Sequence, residues 1–287
     1  SDTGAERISV AYATQSTPDL MYTNYDRMSP AVVNGLCVDL TDIINNNMDY
    51  LRGAPSAGIV DGKNYYIPTG IGTGYGIAVN MDLANELGVA DMLPADGLTW
   101  SYEDFLAVCR AAKAADPDVI PLALFAGSQS SDAWYYSWFL ANGAEITSVD
   151  NSTFVVNEGE NKTKILEALN VFKTLTDEGL TIDGVATTID QDAHTFFLAG
   201  QSLFAHCGFN NASYFTGLRA EGSMADFKFD IVGIPTAEGK NLPRSSGGAG
   251  SGWVGFVNDG SKVEAVKLAL EFLVTEANWA QDFADIA

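Results

Sequence analysis

The chain is poor in positive charge. Fifteen lysines and arginines face 37 aspartates and glutamates, for a net charge of −22 and a pI near 4.1. That balance repels nucleic acid and anionic membrane surfaces and disfavours polyanionic ligands. Cysteine and histidine are scarcer still. Cys37, Cys109 and Cys207 are scattered and odd in number, and no C-x-x-C occurs. The two histidines, His194 and His206, show no metal-ligand spacing, which argues against structural zinc. Cys109 on an apolar helix face and Cys207 in an apolar strand read as small buried hydrophobes. No run approaches about 18 uninterrupted apolar residues, so no helix here spans a membrane. A basic-then-apolar amino-terminal signal is absent as well, so the signal or lipid anchor of an exported protein would lie outside this sequence. There is no nucleophile elbow and no P-loop. The run Gly250-Ser-Gly252-Trp-Val-Gly255 has the letters G-x-G-x-x-G, but it leads into a strand and opens no helix, so a dinucleotide loop is set aside.

What is present is ordinary globular composition: 287 residues, 47% hydrophobic and 18% charged. That is enough for one large α/β unit or two lobes of ordinary size. The stretch 199–210 organises the rest. A helix ending at Gly200 is followed by a buried strand, Ser202 to Cys207, which runs out at Gly208 and leaves Phe209 and Asn210 at a strand end. Strand ends are where open α/β sheets place ligands, and a bare glycine followed by an aromatic offers close backbone approach and a flat apolar face. The other reading is a core Phe beside a turn Gly.

Earlier in the chain, Leu20-Met21-Tyr22 reads as a strand leading to Tyr25-Asp26-Arg27, which is either a polar ligand contact or an Asp N-cap on a helix from Met28 to Asn34. Residues 45–58 read as a surface loop, Asp61-Gly62-Lys63 as a turn, and Gly70 to Gly76 as a flexible crossing strand whose backbone lies against a ligand. A helix from Ser101 to Ala115 carries a capping box, Ser101 with Asp104, and Pro121–Phe125 reads as a strand. From 132 to 140 comes a helix with Trp134, Tyr135, Tyr136, Trp138 and Phe139. Such a crowd cannot all face one core, so some of these rings are expected to line a cleft; the alternative is a helix packed all round. Residues 150–157 read as a hairpin or edge strand and 165–175 as an amphipathic helix; strands at 227–234 and 253–257 and a last helix from Val263 follow. Sequons at Asn151, Asn161 and Asn211 are taken as chance.

Seven landmarks fall in order: Pro18-Asp19 through Asp26-Arg27; Asp61-Gly62-Lys63 through Pro68; Gly76-Ile-Ala-Val-Asn80; Thr99-Trp100 with Glu103-Asp104-Phe105-Leu106; Phe197-Leu-Ala-Gly200 through Gly208-Phe209; Gly247-Gly248 to Trp253; and Ala269-Leu-Glu-Phe272-Leu. Together they resemble the extracellular solute-binding proteins of bacterial ABC importers, the sugar-binding family that includes maltose-binding protein. The resemblance implies an α/β, two-lobed periplasmic-binding-protein-like fold (type II) whose lobes are joined by crossing hinge strands. The first lobe would be discontinuous, 1–72 and 236–287, and the second would be 73–235, with hinge crossings near Thr73–Gly76 and Ile234–Thr236. The family has a further strand and helix before residue 6 and continues past 287, so the first lobe is expected to be incomplete.

The implied function is binding of a sugar or oligosaccharide in an interlobe cleft outside the cytoplasm, with delivery to the membrane permease subunits of an ABC transporter. No enzyme activity, cofactor, metal or nucleic acid is expected, and the protein should act as a monomer. Acidity favours a Gram-positive cell-surface lipoprotein over a periplasmic protein. A pyranose has apolar C–H faces and a rim of hydroxyls, so its site needs aromatic plates and a few directed polar groups. The candidate plates are Phe209, Trp134, Tyr135 and Trp253. Asp26 matches the family's ligand-binding Asp and would accept hydroxyl hydrogen bonds with charge assistance, oriented by Arg27. Tyr25, Thr73 and Asn210 are further polar candidates. Where the family often has Gly-Pro-Trp, this chain has Gly208-Phe209, which leaves the sugar's identity open. Two rivals remain: a glycoside hydrolase using two carboxylates, and a binder of a non-sugar such as a polyamine or peptide, which would also suit an Asp-plus-aromatic pocket.

Overall fold

Strands and helices are interspersed along this chain without strict alternation. The computed structural model describes residues 8, 10–14, 16–24, 28–48, 58–68, 74–128, 131–148, 153–208, 211–240, 251–258 and 260–275. In chain order the elements begin with β1 (Leu20–Asn24), α1 (Ser29–Val33), α2 (Thr41–Asn46), β2 (Ile59–Val60), β3 (Lys63–Asn64), β4 (Ile67–Pro68), β5 (Tyr75–Asn80) and α3 (Met81–Glu86). They continue with α4 (Tyr102–Ala115), β6 (Ile120–Leu122), α5 (Ser131–Ala141), α6 (Gly159–Asp177), α7 (Asp190–Leu198) and β7 (Ser202–Gly208). The last are α8 (Asn211–Ala220), β8 (Phe229–Val232), β9 (Ser251–Gly255) and α9 (Val263–Thr275). Two units result: Ser1–Gly72 with Gly247–Ala287, and Thr73–Ser246.

In the first unit β9 lies between β1 and β4 and is antiparallel to both. Tyr22 and Ile67 both pair with Trp253, which puts these three side chains on one face of the sheet. That face packs on Val38, Leu40, Ile44, Val266 and Leu270, while Met21, Val254 and Phe256 turn to a second cluster with Met28 and Ala31. The glycines of β9 have a packing reason. A Cβ on Gly252 would stand 2.3 Å from the Ile67 carbonyl oxygen, and one on Gly255 would stand 2.5 Å from Val266 Cγ1. The bare backbone lets β4 and α9 in. Asp61 and Gly62, both at positive φ, make the two-residue turn joining β2 to β3.

Two expectations change here. The N-cap of α1 is Met28, with no side-chain cap, so that helix does not use an aspartate cap. Asn45 and Asn46 belong to α2, and Asn47 is buried at its C-cap, donating to the Ile43 carbonyl and to Glu271 of α9. A local bond to the preceding turn and one tertiary bond to α9 thus cap as a helix end what composition alone makes a loop.

The second unit is a mixed sheet in the order β6-β7-β5-β8. Every residue of β7 is buried, as a strand flanked on both edges and both faces must be. It runs parallel to β6 but antiparallel to β5. Ile77 pairs with His206 and Val79 with Phe204, so these face one way, toward Phe105 of α4, Trp138 of α5 and Phe172 of α6. Ala78, Ala205 and Cys207 face the other way, toward Phe197 of α7 and Phe215 of α8. Helix α4 begins as expected, with reciprocal bonds between Ser101 and Asp104. All three cysteines are free and buried.

Some strands are shorter than their apolar runs. β6 stops at Leu122 because the Leu124 amide turns to Thr181 Oγ1 and the Ala126 amide to the Val185 carbonyl. β8 covers only Phe229–Val232. Beyond it, Gly233 is pressed to within 2.4 Å of the Leu98 carbonyl oxygen at its would-be Cβ, and its own carbonyl accepts from Trp100 Nε1. Thr236 is bonded to Trp100 and Tyr102 and belongs to the second unit.

Candidate ligand-binding site

Of the sequence candidates, Tyr25, Asp26, Thr73, Phe209 and Asn210 lie outside the described residues. Trp134, Tyr135 and Trp253 are described, the first two in the second unit and Trp253 in the first.

Trp134 and Tyr135 sit in the first turn of α5, both half-buried, while Trp138 and Phe139 one turn on are buried and Tyr136 is exposed. The aromatic crowd therefore divides as a helix must divide it: one side enters the core and another stays partly open. Tyr135 is held by two contacts. Its hydroxyl donates to the Phe125 carbonyl at 2.8 Å and its ring meets Phe172 edge-on at 4.7 Å, and burial pushes its pKa up to about 12. That makes Tyr135 a supporting ring more than an open plate.

Trp134 is boxed by other rings. Tyr75 lies edge-on at 4.4 Å, His194 and His206 both at 5.9 Å, and Phe125 at 6.3 Å between centroids. Tyr75 opens β5 opposite Gly208, the end of β7, so the box stands at the rung from which residue 209 leaves. His206, 2% exposed, accepts from Trp138 Nε1 at 3.0 Å through its Nε2, and its backbone carbonyl accepts from His194 Nε2 at 2.7 Å. Burial, reinforced by the neighbouring imidazole, holds His206 down at about 3. Burial also lowers His194, and raises Tyr75 with help from the Asp132 carboxylate. At neutral pH all the ring groups of the box are thus uncharged. Such a surface offers π faces, a phenol and indole edges to a ligand with apolar faces and no charge.

In the first unit Trp253 is half-buried over the aliphatic cluster beneath it, with Tyr22 edge-on at 5.1 Å. Tyr22 is 48% exposed. The Trp253 Nε1–H is buried without an acceptor among the described residues. Sequence reasoning overlooked Tyr22, Tyr75, His194 and His206. A lone imidazole within an otherwise apolar strand was the one available signal, at His206.

Among the described residues no group of three His, Cys, Asp or Glu side chains could hold a metal ion. No helix of those residues is long and apolar enough to cross a membrane.

The chain matches the model of the bacterial extracellular solute-binding proteins over residues 1–278. It belongs to that family. This solute-binding protein is 24% identical over 254 residues to a putative binding protein of Brucella abortus, a match covering 88% of the present chain. It spans 57% of the length of that relative. Among solved structures it is similar to the sugar-binding protein MalE of Xanthomonas citri, with a TM-score of 0.67 at 17% identity, covering 99% of this chain and 68% of that one. The maltose-bound MalE3 of T. maritima gives 0.72 at 16% identity, covering 97% and 68%. A transporter-associated binding protein of B. animalis subsp. lactis, in complex with β-1,6-galactobiose, gives 0.71 at 18% identity, covering 96% and 64%. The fold is therefore the α/β, two-lobed fold of periplasmic sugar-binding proteins. The family consists of binding proteins that act outside the cytoplasm.

Proposed function

We propose that this protein binds a sugar or oligosaccharide outside the cytoplasm and hands it, as a monomer, to the permease subunits of an ABC importer. Membership of the solute-binding family supplies the class of activity. The observation that carries the choice of sugar is the half-open Trp134 in a box whose phenol and imidazoles are neutral at physiological pH. Indole faces take the C–H faces of a pyranose, while the same π faces attract an organic cation, so spermidine is the competing ligand in the test below. Structural neighbours carry bound maltose and β-1,6-galactobiose, which supports the same reading.

The proposed contacts are Trp134, Tyr135, Thr73, Phe209 and Asn210 in one unit, with Tyr25, Asp26 and Trp253 in the other; the two units are taken as the two lobes. Asp26 would accept hydroxyl hydrogen bonds, and Trp134 and Phe209 would act as plates. A hydrolase would need a carboxyl kept protonated at neutral pH. Asp104, bonded by Ser101, and Glu178, clamped by Arg110, are held the other way, below the usual carboxylate range. The acidic composition favours a cell-surface lipoprotein over a freely periplasmic protein.

A thermal-shift panel of maltose, tagatose, β-1,6-galactobiose, chitin oligosaccharides and spermidine tests this. A sugar at about 100 times its Kd contributes about 2.7 kcal/mol of stability, a readable rise in Tm. A rise with one sugar class that Trp134→Ala and Asp26→Ala both abolish is the expected result. A rise with spermidine and none with any sugar overturns the reading.

A further inference from the structure

We propose that His206 is a positioning residue for the Trp134 plate, setting its pose through a neutral imidazole. Trp138 Nε1–H can donate only to an unprotonated ring nitrogen, so its 3.0 Å bond fixes His206 with Nε2 bare and the proton on Nδ1. That Nδ1 is buried without a hydrogen-bond partner among the described residues, and the imidazole ring lies among those of Phe125, Trp134, Tyr135 and Trp138 at centroid distances of 5.7 to 6.3 Å. A buried donor without a protein partner costs stability. Here its ring props one face of Trp134 at a tilt of 37°.

The chain of contacts is short and has one direction. Trp138, buried at the centre of the unit, holds the imidazole; the imidazole and the half-buried His194 hold Trp134, which is itself partly open. The ionisable groups around it are few: Tyr75 on β5, Tyr135 and Asp132 on α5, and His194 with Asp190 on α7. Protonation of His206 would set an N–H donor against the Trp138 N–H donor, and the two rings would have to part. The same device links the plate to acid: the box holds while His206 is neutral and opens when it is charged.

The inference rests on Trp134 being a sugar plate, but its test does not. The chain is labelled with 5-fluorotryptophan, the Trp134 resonance is assigned with Trp134→Phe, and His206→Gln is compared with His206→Leu. Gln keeps an acceptor for Trp138; Leu removes it. The Trp134 fluorine signal should stay near its wild-type position in the Gln variant and move or broaden in the Leu variant, with the Trp253 signal as an internal control. Acid titration of the wild type should move the Trp134 signal before that of Trp253; because His194 also meets Trp134, the part of that movement assigned to His206 is the part that the Gln variant loses. The titration decides the matter even where His206→Leu does not fold. In calorimetry with maltose or another panel sugar that binds, leaving the Trp138 donor unpaired should weaken binding about 10-fold, whereas Gln should restore most of it. An unmoved Trp134 signal in the Leu variant, or equal loss in both variants, overturns the proposal. If no sugar binds the wild type, the sugar reading fails and the fluorine comparison still decides this one.

Discussion

Trp253, in the middle of β9, and Trp134, on α5 beside the start of β5, are both half-buried tryptophans, yet they are held in opposite ways. Trp253 lies on an aliphatic floor of Ile67, Val266 and Leu270 with one ring neighbour among the described residues, Tyr22. Trp134 stands among four rings, two of them imidazoles with their own hydrogen bonds. The first arrangement depends on close approach: glycines in β9 admit β4 and α9, and apolar burial does the rest. The second depends on protonation, because an imidazole works as an acceptor only while neutral. One support is fixed by shape and the other by chemistry.

The sharpest way to break this contrast is Trp138→Ala. It removes a fully buried indole and the donor that fixes His206, and should cost about 3–5 kcal/mol. Hydrogen exchange should place the loss in residues 74–240 and leave β1 and β9 protected; equal loss in both units would erase the distinction. The reciprocal change is Gly252→Ala. Its Cβ would press on the Ile67 carbonyl and on Pro68 Cα, backbone atoms that cannot turn aside, for about 1–3 kcal/mol. Here exchange should rise in β4 and β9 while Trp134 fluorescence holds.

Acid sharpens the contrast further. His206 is held at about 3, below the ordinary value near 6.5, so the unfolded chain takes up the proton first. Its contribution is complete above about pH 6.5 and declines as pH falls toward 3, by about 2 kcal/mol at pH 5. His194, lowered as well, acts in the same direction. Both histidines lie in the second unit. Urea melts from pH 7 to 5 should therefore show a decline that His206→Gln flattens. The smallest effect is Ser101→Ala, which removes the cap of α4 and should cost about 1 kcal/mol, read as a lower urea midpoint with unchanged slope.

Much of this was legible residue by residue. The capping box at Ser101, the turn at Asp61-Gly62 and the break at Gly200 are local chemistry, written where it acts. The division of the aromatics on α5 was expected in kind, since a helix presents only one side to a core. The opposite held at Asn45–Asn47: asparagines read as loop, yet Asn47 finds Glu271, 224 residues away, and the helix is kept. The site was less legible. Sequence pointed to Trp134, Tyr135 and Trp253, but Tyr75, His194 and His206 acquire meaning only when β5, α7 and β7 converge on Trp134.

The sequence by itself determined the α/β class, the places where elements start and stop, and the separation of apolar from polar faces. These follow from periodicity and from backbone preferences within a few residues. Tertiary structure decided the strand order β6-β7-β5-β8, the need for bare backbone at Gly252 and Gly255, and the protonation state of His206. Each depends on which distant atoms arrive at a given point, and desolvation and close contact have no value until they do.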